Sequence, residues 1–181
     1  FQGQIDIPLN RNGKSQALAA GKFLSAQNID KAFCSPMARP RQTAEEILKF
    51  HPGIKIETKK DLVEIGHGLW EGKLESEIND AWPELLKKWK RQPETVQMPE
   101  GETIHDVWKR SVEGWEQICA SLANNETALV VAHDAVNKTI LCHLLGLTAA
   151  DIWMIKQGNG CVSVVDISIN PGQPNVVTCL N

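Results

Sequence analysis

Three short stretches of this chain hold residues whose types and spacing could do chemistry. Ser35–Glu45 reads SPMARPRQTAE and places Arg39 and Arg41 two residues apart, where an apolar run hands over to a helical pattern. A guanidinium offers planar, paired donors that match phosphate oxygens. The unpaired N–H groups of a helix start also favour an anion. On spacing alone, both arginines could equally be solvated and paired with Glu45 or Glu46. The second stretch is VAHDAVNK, in which His133 ends an apolar run. That is where a strand delivers side chains to a site, although a hydrogen-bonded core histidine fits as well. The third is LVEIGHGLWEGK, with Glu64 at a strand end ahead of glycines and Trp70. A carboxylate against an apolar wall can have its pKa raised into the range useful for proton transfer, while a plain surface Glu is the commoner case.

These positions need a framework to present them. Asn10–Asn28 has helical spacing, with Ala17, Leu18, Gly21 and Leu24 on one side, and Ile29–Ser35 reads as a short buried strand. Pro40 sits close to the start of a helix running to about Phe50, where proline is tolerated. Ile54–Thr58 alternates as a strand, and Leu62–Ile65 leads into a glycine turn. Glu75–Gln92 is helical and broken at Pro83, and Thr103 is an N-cap for a long helix to about Asn124. Thr127–Ala132 is apolar throughout, as in a strand covered on both faces, and Ala135–Leu145 is a helix that stops at Gly146. Cys161–Ser168 and Val176–Leu180 close the chain as strands around an Asn170–Pro171–Gly172 turn. Strands alternating with helices predict one α/β layered domain, with a largely parallel sheet and helices on both faces. Ligands bind beyond the carboxyl ends of such strands, and all three stretches follow one.

The bulk properties narrow the classes. The 181 residues are 42% hydrophobic and 23% charged, which suits one globular domain, 1–181, with a sizeable core. A net charge of -3 supplies no basic field for nucleic acid or for a membrane surface, so an anionic ligand must be met by a local cluster. No apolar run approaches the ~20 residues needed to span a bilayer, and no signal peptide is visible. The five cysteines are odd in number, form no CxxC pair and lie mostly in apolar runs. Buried free thiols in a reducing cytoplasm are the expectation. His51, His67, His105, His133 and His143 lack metal-ligand spacing, so neither a metal nor another cofactor is expected. The oligomeric state is left open, a dimer included.

Taken together, the stretches resemble the histidine phosphatase superfamily, which contains the phosphoglycerate mutases. SPMARPRQTAEE is similar to its S-P-x-x-R-x-x-Q-T-A segment through Ser35, Pro36, Arg39, Gln42, Thr43 and Ala44. LVEIGHGLWEG is similar to its E-x-x-x-G-x-W-E-G segment through Glu64, Gly68, Trp70, Glu71 and Gly72. VVAHDAVNK resembles the strand bearing the second catalytic histidine, and PEGET resembles the G-E-S/T opening of the long helix. The first residues, FQGQIDIPLN, resemble a Q-G-x-x-D-x-P-L segment that runs on to Gly13. The resemblance covers essentially the whole chain, in order. It implies a three-layer α/β/α sandwich of phosphoglycerate mutase type and phosphoryl transfer through a phosphohistidine. Arg39 would clamp the transferring group, His133 would donate to its oxygens, and Glu64 would act as acid and then base. Gln2 and Gly3 would lie in a loop facing the pocket. No metal is implied.

The chain departs from the pattern at two places. The family nucleophile belongs to an R-H-G motif shortly before the Q-G pair, and none of the histidines here has that context. The 181 residues alone would then be inactive, and an upstream segment carrying the motif is expected to belong to the protein. A missing strand would leave backbone unpaired and core uncovered. A catalytically dead module that binds a phosphorylated ligand or a partner is the alternative. Asp134 stands where many relatives carry Gly, and would repel a phosphate unless it pairs with Lys138. It marks the substrate class, with Asn137 and Lys138 as accessory residues. The segment between Glu64 and Thr103 is short for a mutase, which needs a lid to shield its phosphoenzyme from water. A phosphomonoesterase acting on a small sugar phosphate or phospho-hydroxy acid is expected over a phosphoglycerate mutase. Trp82, Trp89 and Trp108 would either wall the substrate or pack the lid helices.

Overall fold

A computed structural model describes residues 1–168, 170 and 172–180. Its centre is the strand β1 (Lys31–Cys34), whose Ala32, Phe33 and Cys34 are buried. β2 (Ile56–Thr58) and β3 (Ala128–Val131) flank it in parallel, in the order β2-β1-β3. Cys34 pairs with Thr58 on one side and Val131 on the other, so all three strands end level. Parallel neighbours require crossovers. One is α2 (Ala38–Leu48), and the other runs through α3 (Glu75–Ala81), α4 (Pro83–Arg91) and α5 (Ile104–Ala120).

The pleat of β3 sorts the helices into two outer layers. Leu129 and Val131 pack with Ala20 and Leu24 of α1 (Arg11–Leu24) and with Ile47 of α2. Ala128 and Val130 face the larger core, with Val107 and Ile118 of α5 and with Val136 and Ile140 of α6 (Asp134–Leu144). The two helices of that layer are joined by a buried bond between the Ser111 and Thr139 hydroxyls, 2.8 Å. The α/β/α sandwich read from the sequence is the architecture observed.

Several expectations change in detail. All four residues of β3 are half-exposed, because β1 is its one ladder partner among the described residues and its outer edge stands open. α1 ends at Leu24, and Leu18 is exposed because it lies off the stripe formed by Ala17, Ala20, Gly21 and Leu24. The segment before the glycine turn is a 3-10 turn, Lys60–Leu62, followed by extended backbone, so Glu64 does not end a strand. The last two strands shrink to an antiparallel pair, β4 (Val164–Asp166) and β5 (Val176–Cys179). Pro171 of the turn between them lies outside the described residues. Cys34 and Cys142 are buried, but Cys119 and Cys161 are only half-buried and Cys179 is exposed, all as free thiols. Among the described residues no helix is long and apolar enough to cross a membrane.

The start of α5 matters most for the site. Thr103 Oγ1 accepts from Asp106 N at 3.1 Å while Asp106 Oδ2 accepts from Thr103 N at 2.9 Å, a reciprocal cap. Thr103→Ala removes half of it and should cost about 1 kcal/mol. Thermal unfolding followed by circular dichroism should show Tm lower by about 2–4 °C.

Candidate active site

Parallel register brings the first two pieces together. Cys34 and Val131 are paired, so Ser35 and the 132–133 segment leave the sheet at the same edge. Ser35 N donates to Val131 O (3.1 Å), and His133 Nε2 shares a 2.9 Å hydrogen bond with Ser35 Oγ. Both side chains are buried. The direction of that bond sets the imidazole tautomer. Burial, then the charge of Arg39, then that of Arg110, push the His133 pKa down to about 3, with Asp6 acting weakly the other way. The imidazole is therefore neutral at physiological pH and has one N–H to donate.

Arg39, half-buried in the first turn of α2, points back over the N-terminal loop. Its Nη1 donates to the carbonyls of Ile5 (3.0 Å) and Ile7 (3.2 Å), and its Nη2 to that of Gly3 (3.5 Å). Two further contacts fasten the same loop. Ala38 N donates to Asp6 Oδ1 at 2.7 Å, capping α2 from a distant segment, and Leu9 N donates to Gln42 Oε1 at 2.8 Å. Arg41 instead pairs with Glu45 at 3.1 Å on the exposed face, as the solvated alternative anticipates. Of the two arginines, only Arg39 is brought to the site.

Glu64 stands across from them, half-buried. Its Oε1 accepts from Ile65 N at 3.0 Å, and the N–H of Ala135 in the first turn of α6 also favours its charged form. Desolvation outweighs these donors and raises its pKa to about 7, with the Asp134 charge adding to the rise and Arg110 opposing it. A carboxyl poised there can give and take a proton near neutral pH.

The segment carrying Glu64 is pinned from below. Arg110 of α5 donates to the carbonyls of Asp61 (2.9 Å), Val63 and Glu64 (3.1 Å), and makes a two-pronged ion pair with Glu102 at 2.8 and 3.0 Å. Gly66 N donates to Glu102 Oε2 (2.7 Å) and Glu102 N donates to Gly66 O (2.8 Å). Leu69 N donates to Pro99 O at 2.9 Å. At Gly68 (φ +55°) a Cβ would lie 2.0 Å from Pro99 O, so only glycine permits this contact.

The remaining candidates are more peripheral. Gln2 is exposed and Gly3 is buried beneath Arg39; the side chain reaching the Glu64 segment from this loop is Gln4, whose Nε2 donates to Glu64 O at 3.0 Å. Asp134 is exposed and pairs with Lys138 at 2.9 Å, while the buried Lys138 ammonium lies 4.7 Å from the Trp153 ring centroid. Asn137 is half-buried one turn into α6. Trp89 is buried and its carbonyl accepts from Trp153 Nε1 (2.8 Å), Trp82 packs on Trp70, and Trp108 meets His143, so packing accounts for the three tryptophans. His67, held edge-on between Phe1 and Trp89, is pushed by burial to a pKa of about 4 and belongs to that packing. Among the described residues no three His, Cys, Asp or Glu side chains converge as a metal site requires.

Sequence reasoning missed Arg110, Glu102 and Gln4. The two arginine-linked residues had a signal: Arg110 lies two helical turns beyond the Thr103 cap, on the face that looks back at Glu102.

Comparison with known proteins identifies the family. The sequence matches the histidine phosphatase superfamily (branch 1) over residues 1–180. The chain belongs to that superfamily. It is 30% identical over 181 residues to phosphoserine phosphatase 1 of Hydrogenobacter thermophilus, covering all of this chain and 83% of that protein. It is 32% identical to 2-carboxy-D-arabinitol-1-phosphatase of Triticum aestivum, again over the whole chain but over 36% of that longer protein. Among solved structures, Bacillus stearothermophilus YhfR superposes with a TM-score of 0.90 at 27% identity, over 98% of this chain and 86% of the other. This protein is thus an enzyme of a family whose relatives are phosphatases of small phosphorylated metabolites.

Because the folded state raises the Glu64 pKa, protonated Glu64 contributes stability that is fully present below about pH 4.5 and lost as pH rises through about 7. Glu64→Gln imitates the protonated form. It should raise Tm at pH 8 by about 2 °C or more and change it by less than about 1 °C at pH 4.5, in paired thermal melts.

Proposed function

We propose that this protein is a phosphomonoesterase that passes the phosphoryl group of a small metabolite through a histidine. The observation that carries the reading is the meeting, at one edge of the sheet, of a neutral His133, a Glu64 with a pKa of about 7 and the Arg39 cation, beside the starts of α2 and α6. Helix starts and guanidinium donors stabilise the charge on a transferring phosphoryl group. Arg39 keeps its Nε–H and one Nη2–H without a protein acceptor among the described residues, so it can strap the loop and still meet an anion.

In the first step a histidine nitrogen attacks phosphorus, the bond to the leaving oxygen breaks, and the Glu64 carboxyl gives that oxygen its proton. In the second, Glu64 takes a proton from water as the water oxygen attacks phosphorus and the P–N bond breaks. His133 and Arg39 donate to the phosphoryl oxygens throughout. The nucleophile we assign to a histidine of an Arg-His-Gly segment, which the family resemblance implies.

The relatives named for phosphoserine and 2-carboxy-D-arabinitol 1-phosphate support a small phosphorylated metabolite as substrate, a sugar phosphate or a phospho-hydroxy acid. Asp134, whose charge acts on Glu64, together with Asn137 and Lys138 one turn on and Gln2 and Gly3 of the N-terminal loop, are the residues we assign to substrate binding. The free thiols support a reducing compartment such as the cytoplasm.

The full-length protein should hydrolyse p-nitrophenyl phosphate in the presence of a chelator, and acid-labile phosphate should be trapped on histidine by rapid quenching. Arg39→Ala and His133→Ala should each lower kcat/KM by about 10²-fold or more. Unchanged turnover in both variants would sink the proposed mechanism.

A further inference from the structure

The most heavily bonded side chain next to the site is one that the proposed steps do not use. Arg110 has five N–H donors, and every one is occupied: Nε by Glu102 Oε1, Nη1 by the Asp61 and Val63 carbonyls, and Nη2 by the Glu64 carbonyl and Glu102 Oε2. Three of its acceptors are backbone carbonyls of the segment that carries Glu64. Glu102 completes the grip by accepting from Gly66 N, so residues 61–66 are held by carbonyls and an amide alike. The side chains of Arg110 and Glu102 are 21% and 25% exposed, which limits screening by water.

A second observation, involving no charge, shows the same segment seated on the same helix face. One turn beyond Arg110, Gly114 admits Asp61 so closely that a Cβ at position 114 would lie 2.6 Å from Asp61 Cβ. Arg110 and Gly114 together form a seat on α5 for the segment, one by bonds and the other by the absence of a side chain.

Resting on the acid role given to Glu64 above, we propose that Arg110 is a positioning residue for that carboxyl. With Glu102 and the Gly114 notch, it sets the height at which the carboxyl meets the leaving oxygen. Arg110 touches no substrate. Its positioning effect is confined to the step that needs a proton from Glu64, which is demanding for an alkoxide and slight for a nitrophenolate. A misplacement of about 1 Å at such a step costs on the order of 10²-fold.

The test compares kcat/KM, which covers the steps up to release of the alcohol, for glycerol 2-phosphate and p-nitrophenyl phosphate. Full-length wild type, Glu64→Gln, Arg110→Lys and Gly114→Ala are measured, each first checked for a cooperative thermal melt. Glu64→Gln should lose about 10²-fold or more on glycerol 2-phosphate and little on p-nitrophenyl phosphate. Arg110→Lys, which keeps the charge but not the fork, and Gly114→Ala, which keeps the charge pair but lifts the segment, should repeat that selectivity. The expected loss is about 10-fold or more on the first substrate and under about 3-fold on the second. Equal losses on both substrates, or none on either, in folded Arg110→Lys and Gly114→Ala would overturn the positioning role. A Glu64→Gln protein that does not discriminate would instead overturn the acid role itself.

Discussion

Two guanidinium groups that donate to backbone carbonyls hold this site together. Arg39 fastens the N-terminal loop to α2, and Arg110 fastens the Glu64 segment to α5. Hydrogen bonds from a charged donor contribute about 1.5–3 kcal/mol each, whereas exposed ion pairs contribute about 0–1. Arg41–Glu45, on the solvent side of the same helix, is of the second kind. Loops without regular structure thereby acquire fixed positions, and the sheet edge gains a floor and a wall that it could not build from strands alone.

The same crowding tunes the chemistry. Desolvation opposes charge of either sign, so it lowers the His133 pKa and raises that of Glu64. Near neutral pH the pocket holds an uncharged imidazole and a carboxyl divided between its two forms, with Arg39 and Arg110 as the nearby cations. Glu102 balances Arg110, so the positive field beside these proton-exchanging groups comes from Arg39. Asp134 would weaken the field, but Lys138 holds its carboxylate at 2.9 Å, and Trp153 covers the ammonium in turn.

Much of this was legible in the chain. The layered α/β domain with a parallel sheet follows from the alternation of apolar runs with helical spacing, and the Thr103 cap and the Pro83 break are local signals that tertiary packing left intact. Arg39, Glu64 and His133 came from motif order, and the strand ends do bring Ser35 and His133 level. Distance along the chain hid the rest. Asp6 caps a helix that begins at Ala38, and Arg110 bonds carbonyls some fifty positions earlier. A carbonyl acceptor leaves no trace in side-chain identity, so no pattern of residue types could announce it. Both faces of β3 are covered as its apolar run foretold, but its half-exposure left no sign, since hydropathy reports what a strand is made of and not who stands beside its edge.

The backbone zipper between residues 66–69 and 99–102 has a consequence for adaptability. Bonds run in both directions across it, and Gly68 lies too close to Pro99 for either strand of chain to slide. The Glu64 segment therefore rides on a stiff mount, shared with the cap of α5. Local change must then arise in elements built independently of that mount, such as the first turn of α6. Substitutions in such an element leave the height of the Glu64 backbone unchanged.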